Sequence, residues 1–149
     1  VGTLFCLFGY GQLRKFYNKG KYEKLYVAGI FLFGIGSILA GIFPEDYKGL
    51  EEETVSGKIH GIASFIGFIF IILCPLWATK IKQIKTSISL NYLLFALGLI
   101  SFFLFLFSEN IELGFFKYTG LLQRINLLIL YLSVVINYQN MKYGTQQNV

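Results

Sequence analysis

The sequence predicts an all-α fold, a polytopic bundle of transmembrane helices. Of its 149 residues, 55% are hydrophobic and 14% are charged, and the mean hydropathy is +0.61. A soluble domain typically carries about 25% charged residues and cannot bury this much apolar surface. Disorder is excluded as well, since disordered chains are poor in apolar residues and rich in charge. Five apolar runs follow one another along the chain, and four of them reach the ~20 residues that a membrane-spanning helix needs.

The first run, residues 1–13, is too short to span. As a helix it would rise about 20 Å, against about 30 Å of hydrocarbon. There are three alternatives for such a run. Residues upstream of it extend the helix, or the helix tilts and the bilayer thins around it, or the helix ends partway through the bilayer. The chain starts with Val1 and its only methionine is Met141, so we expect the first of these alternatives, with an N-terminal piece missing.

The other four runs are each long enough to span: they are 25–43, 59–78, 88–107 and about 120–138. Their β-branched and aromatic residues do not indicate strands, because only helices and closed barrels satisfy the backbone in lipid and the alternation of barrel strands is lacking. The pairs Gly57/Gly61 and Gly36/Ala40 fit the small-residue pattern by which membrane helices pack closely. We therefore expect a single transmembrane domain over residues 1–149.

The basic residues are distributed unequally between the two sides of the membrane that these runs define. Nine of the 13 Lys and Arg lie in connections 14–24 and 80–87 and in the C-terminal tail, and three lie in connections 44–58 and 108–119. Short cytoplasmic loops carry the excess of Lys and Arg. We therefore place 14–24, 80–87 and the C-terminus in the cytoplasm, and 44–58 and 108–119 outside the cell membrane.

One charged side chain, Arg124, lies inside an apolar run, about one helical turn from its outer end. A charge within a spanning helix is costly unless it reaches the headgroups or finds a partner. Asp46, which follows the helix-ending Pro44, and His60, which opens the run 59–78, lie at the same membrane level. We predict a polar cluster of Asp46, His60 and Arg124; the alternative is that Arg124 alone reaches the outer headgroups.

Three neighbours complete this candidate cluster: Glu45, Ser64 and Gln123. As a structural network, the cluster would stabilise the bundle at the outer ends of three segments. As a binding site, Arg124 would clamp the phosphate of an anionic lipid headgroup or the carboxylate of a small ligand. With His60 as acid or base, the protein would instead be a membrane enzyme acting on a lipid at the outer leaflet. A small transporter is the third alternative, so the sequence leaves open whether the protein is an enzyme.

Several sites and partners are excluded by composition. The single histidine cannot supply the paired axial ligands of a membrane diheme cytochrome or a three-histidine zinc site. No GxxxxGK[ST] loop for nucleotide binding occurs. We expect no cofactor and no metal. Because the basic residues set the topology, we expect membrane lipid, and not nucleic acid, as the partner.

Three motifs carry a resemblance to a known family. Residues 41–46 read GIFPED, residues 58–63 read KIHGIA and residues 120–125 read GLLQRI. In this order and spacing they resemble the bacterial and archaeal family called domain of unknown function 998, whose members show G-x-F-P-x-D, a helix opening with L-H, and a late G-L-x-E-R stretch. The resemblance implies a multi-pass bundle, commonly of six spans, with a first helix ahead of this chain. It marks Asp46, His60 and Arg124 and implies no reaction.

This chain departs from the family pattern at Gln123, where an acid is common. If that acid normally balances the arginine, then Asp46 or Glu45 would have to balance Arg124 here.

The predicted topology is testable by cysteine labelling from outside the cell. We expect Glu52→Cys to react with a membrane-impermeant thiol reagent, because connection 44–58 is placed outside. Lys82→Cys, in connection 80–87, is the control on the cytoplasmic side. Exclusive reaction at Lys82→Cys would overturn the orientation.

Overall fold

The structure, a computed structural model, describes residues 1–16, 20–46, 52–108 and 119–146. In these ranges the chain is helical and has no strand, which confirms the predicted all-α class. The helices are α1 (Gly2–Phe16), α2 (Lys21–Ile42), α3 (Val55–Ala78), α4 (Ile88–Phe107) and α5 (Thr119–Gln146). Parts of the predicted loops and tail, at 17–19, 47–51, 109–118 and 147–149, lie outside the described residues.

Within the described ranges, four helices are long and apolar enough to cross a membrane: Lys21–Ile42, Val55–Ala78, Ile88–Phe107 and Gly120–Met141. This confirms a multi-pass membrane protein. Helix α1 has 15 residues and rises about 22 Å, less than the thickness of the hydrocarbon. Helix α3 begins four residues before the predicted run 59–78, and α5 ends eight residues after the predicted run 120–138. An apolar run corresponds to the hydrocarbon, whereas the helix also includes polar residues beyond the hydrocarbon.

The exposed surface of α4 shows why the chain needs a membrane. Leu97, Ile100, Leu104 and Phe107 recur at spacings of three and four residues, and each is between 41% and 56% exposed. This spacing places them on one face of the helix. In water such a continuous apolar face would drive aggregation, whereas lipid tails cover it.

The chain divides into two compact units, residues 1–73 and 74–149. The first contains α1, α2 and most of α3. The second contains the last residues of α3 together with α4 and α5.

In the first unit, α1 and α2 bring their backbones into close contact. A Cβ atom on Gly34 would lie 2.7 Å from Cys6 Sγ and 2.9 Å from the Cys6 backbone nitrogen. Phe33, one residue earlier, packs edge-on against Phe5 and Phe68, with ring centroids 5.0 and 5.9 Å away. Lipid tails are as apolar as the helix side chains, so the hydrophobic effect does not drive membrane helices together. Close van der Waals packing of this kind contributes the attraction instead.

The contact between α2 and α3 is centred on Gly36. A Cβ atom there would lie 2.5 Å from the carbonyl oxygen of Ala63 and 3.4 Å from the Cα atom of Gly67. The predicted pair Gly57/Gly61 does not make a helix contact of this kind. Gly61 is exposed, and in the described part of the chain no atom from elsewhere lies within 4 Å of its Cβ position. Beside Gly57 lies the carboxylate of Asp46.

In the second unit, a short connection leads from α3 to α4. Its isoleucines, Ile81 and Ile84, are buried, and their amides donate to the carbonyls of Ala78 and Ile81. Ser87 then caps α4, since its Oγ accepts from the Leu90 amide at 3.1 Å. Such a cap satisfies one of the amides that the first turn of a helix leaves unbonded.

The contact at Gly36 predicts a position-specific effect of a single methyl group. We expect Gly36→Ala to lower the midpoint of thermal unfolding in detergent, because the methyl group forces α2 and α3 apart at a cost of about 1–3 kcal/mol. Gly41→Ala is the matched control on the same helix, since no atom from elsewhere in the described chain lies within 4 Å of its Cβ position. Gly41→Ala should be neutral or slightly stabilising. Equal losses from both variants would contradict the contact.

Candidate functional site

The end of α2 and the start of α3 are joined by a set of side-chain hydrogen bonds, which we call the hairpin clasp: Asp46, Thr54, Ser56 and His60. The Asp46 carboxylate accepts from the Thr54 amide at 2.7 Å through Oδ2, and from the Thr54 hydroxyl through Oδ1. Thr54 Oγ1 in turn accepts from the Gly57 amide at 3.1 Å. Thr54 is therefore the N-cap of α3, and Asp46 adds a negative charge at the positive end of the helix dipole.

The other half of the clasp closes the end of α2. His60 Nδ1 lies 3.1 Å from the carbonyl oxygen of Ala40 and 2.9 Å from that of Phe43. The Ser56 hydroxyl donates to the Pro44 carbonyl at 3.2 Å. The last carbonyls of a helix have no partner within the helix. His60 supplies a donor to two carbonyls at the end of α2, and Thr54 supplies an acceptor to an amide at the start of α3.

These bonds determine the chemistry that remains to His60. Two carbonyl oxygens can only accept, so Nδ1 carries a proton and shares it between them. In the neutral ring, Nε2 then holds the lone pair. Asp46, by contrast, uses both carboxylate oxygens on the backbone and hydroxyl of Thr54. The clasp therefore engages both carboxylate oxygens of Asp46 and, on His60, only the Nδ1 atom.

The remaining residues of the predicted cluster are placed as follows. Glu45 is exposed beside Asp46, and Ser64 is half-buried on α3, one turn beyond His60. Gln123 and Arg124 are exposed on α5, in the second unit. The structure thus brings Asp46 and His60 to the same hairpin end, each with different partners, and the predicted approach of Arg124 to them stays a prediction.

Two members of the clasp, Thr54 and Ser56, are not among the predicted site residues. A threonine directly before a helix is a recognised N-terminal signal. The apolar run begins only at Ile59, however, which places Thr54 in a loop when the helix is bounded by hydropathy alone.

A second group of polar side chains connects α4 and α5, and sequence reasoning does not single it out as a site. We call it the polar seam, and it consists of Thr86, Asn91, Ser101, Asn126, Ser133, Asn137 and Asn140. The three asparagines 91, 126 and 137 are each 0% exposed. The sequence signal for the seam is a set of uncharged amides and hydroxyls inside apolar runs, which carry no charge to mark them.

Three pairs cross the polar seam. The Asn140 amide donates to Thr86 Oγ1 at 2.9 Å, and the Asn137 amide donates to Asn91 Oδ1 at 3.0 Å. Nearer the other end of α5, Ser101 Oγ lies 2.9 Å from Asn126 Oδ1. The residue numbers rise along α5 as they fall along α4, so the two helices are antiparallel. From Asn126 to Asn140 the seam extends about 21 Å along the helix axis.

In the part of the chain that the structure describes, no three His, Cys, Asp or Glu side chains lie together so that they could hold a metal ion. The family described as "Protein of unknown function (DUF998)" matches residues 1–137 of the chain. No curated protein and no solved structure matches the chain.

The hairpin clasp predicts which carboxylate stabilises the start of α3. We expect Asp46→Ala to remove about 1 kcal/mol of capping and to speed hydrogen exchange of the Thr54 amide about fivefold. Glu45→Ala, the adjacent exposed carboxylate, is the control and should leave that rate unchanged. Exchange measured by mass spectrometry on a peptide that covers Thr54 tests both. An equal effect of the two variants would refute the cap.

Proposed function

The chain belongs to the DUF998 family, and we propose that it binds the phosphate group of anionic lipids at the outer leaflet through Arg124. The hairpin clasp stabilises the membrane-embedded fold, and Arg124 supplies the charge that recognises the ligand. This assignment divides the predicted cluster between a structural role for Asp46 and a binding role for Arg124.

The observation that carries the proposal is the exposure of Arg124 on an apolar helix face. Leu121 and Leu128, three residues before it and four after it, are 54% and 57% exposed. Residues at these spacings share one face of a helix, so the guanidinium lies among side chains that lipid covers. Arg124 is the fifth residue of the span Gly120–Met141, about 6 Å from its start. A long basic side chain at that depth reaches the headgroup region.

The chemistry of the guanidinium selects the ligand. Its planar fork of N–H donors matches two oxygens of a phosphate, and a charge-assisted bond of this kind is about twice as strong as a neutral one. The positive-inside distribution of Lys and Arg supports placing this end of α5 on the outer side. An anionic phospholipid of the outer leaflet therefore supplies the oxygens that Arg124 needs.

A membrane enzyme acting on a lipid at the outer leaflet is the second candidate, and the tautomer of His60 favours it. Because Nδ1 donates to the end of α2, Nε2 is the ring nitrogen left to accept a proton. His60→Asn keeps a donor near the Nδ1 position and removes Nε2. This variant therefore separates the structural role of His60 from a catalytic one.

We test the proposal by native mass spectrometry of the delipidated protein, titrated with phosphatidylglycerol and with phosphatidylcholine. Wild type should retain phosphatidylglycerol preferentially, and Arg124→Ala should weaken that retention about tenfold or more, because it removes a charge-assisted contact. Arg124→Lys should keep part of the affinity, since a lysine supplies charge without the fork.

Lys58→Ala is the matched control, because it removes another exposed cation near the hairpin end of α3. It should bind as wild type does. Equal retention of the two lipids by wild type, or an equal loss from Lys58→Ala and Arg124→Ala, would disprove specific binding at Arg124. Conversion of the lipid to a product by wild type, but not by His60→Asn, would replace binding with the enzymatic alternative.

A further inference from the structure

The polar seam contains hydrogen-bonding groups beyond those that its three pairs use. The Asn137 amide nitrogen donates to Asn91 Oδ1 and to the Ser133 carbonyl, both at 3.0 Å, so its two protons are committed. This commitment fixes the orientation of the amide and leaves Asn137 Oδ1 as an acceptor. In the described chain neither Asn137 Oδ1 nor Asn91 Nδ2 has a hydrogen-bond partner, and both atoms are buried.

The same surplus recurs farther along α5. Asn126 Nδ2 and Ser133 Oγ are buried and find no partner among the described residues. The Ser101 hydroxyl lies 3.1 Å from the Gly98 carbonyl and 2.9 Å from Asn126 Oδ1, and its one proton is shared between these two acceptors, so Asn126 Nδ2 takes part in neither bond. Four side chains of the seam thus retain unused hydrogen-bonding capacity, and three of them are 0% exposed and the fourth, Ser133, 2% exposed.

Ser133 shows that this surplus is not the ordinary state of a hydroxyl in these helices. Four other hydroxyls donate to a carbonyl three or four residues earlier: Ser37, Thr79, Ser101 and Ser108. Such back-bonding is the usual arrangement for serine and threonine in a membrane helix. Ser133 Oγ does not make this bond within the described residues, so its hydroxyl is available to a ligand.

The unused atoms define the chemistry of that ligand. Amide N–H groups of Asn91 and Asn126 remain as donors, Asn137 Oδ1 remains as an acceptor, and Ser133 Oγ can do both. The seam contains no ionisable side chain. A cation would require oxygen ligands alone, and an anion would be repelled by the amide oxygen. Asn126 lies 11 residues, about 16 Å, from Asn137 along α5, so the unused atoms lie at two levels of the seam. At each level, an uncharged molecule that both donates and accepts hydrogen bonds matches these atoms.

We propose that the polar seam is a binding site for a small uncharged solute that donates and accepts hydrogen bonds, the chemistry shared by water and short polyols. Buried polar groups without protein partners are commonly hydrogen-bonded by buried water molecules. The site is independent of lipid binding at Arg124, and it identifies the residues that a small transporter of neutral solutes would use.

Hydrogen exchange of the side-chain amides, followed by NMR on the full chain in detergent micelles, tests the site. We expect the Asn91 and Asn126 amide protons to exchange at least about tenfold faster than those of Asn137, which is equally buried and has both protons bonded within the protein. Saturable shifts of Asn91 and Asn126 on addition of glycerol identify a polyol, and fast exchange without such shifts identifies water. Equal protection of all three amides would overturn the proposal.

A substitution gives an independent test with opposite signs for the two outcomes. If Ser133 Oγ binds a solute, Ser133→Ala should lower the midpoint of thermal unfolding, as we also expect of Ser101→Ala, which breaks a bond within the protein. If Ser133 Oγ has no partner at all, its removal raises the midpoint, because a buried unbonded hydroxyl is destabilising. A rise for Ser133→Ala beside a fall for Ser101→Ala would refute the site.

Discussion

A polar group that a helix does not bond internally needs another partner, and inside a bilayer bulk water cannot supply one. Within a helix the backbone satisfies itself. At the helix ends, and wherever a polar side chain enters an apolar run, a partner has to come from elsewhere. The hairpin clasp, the polar seam and Arg124 are three responses to this one requirement.

The three responses differ in how completely the protein itself supplies the partners. In the hairpin clasp, Asp46 and the Nδ1 atom of His60 are bonded to neighbouring backbone or side chains. In the polar seam, the pairs between α4 and α5 leave donors and acceptors in excess. At Arg124 the side chain is exposed on an apolar surface. The places where the protein does not satisfy its own polar groups are therefore the places where a ligand is to be sought.

The sequence predicts the helices well, because hydropathy reports directly on burial in lipid, and the four spanning helices follow the four long apolar runs. Their ends are predicted less well, since the start of α3 depends on Thr54, a cap that lies outside the apolar run. The asparagines are visible in the sequence, but their pairing depends on the register between α4 and α5. That register is a property of tertiary packing, which hydropathy does not contain. The sequence pattern also suggests a close helix contact at Gly61, which the described chain does not make, because such a contact depends on tertiary packing as well.

The spacing of the polar seam also restricts how the length of these helices can change in evolution. One residue inserted between Asn126 and Asn137 would turn the rest of α5 by about 100° and move Asn137 away from Asn91. A shift of one full turn between the helices would move Asn137 about 5 Å along the axis, away from Asn91. Residues added between α4 and α5, outside both spans, would disturb none of the pairs. The α4–α5 pair should therefore tolerate variation in the length of its connection and conserve the lengths of its two spans.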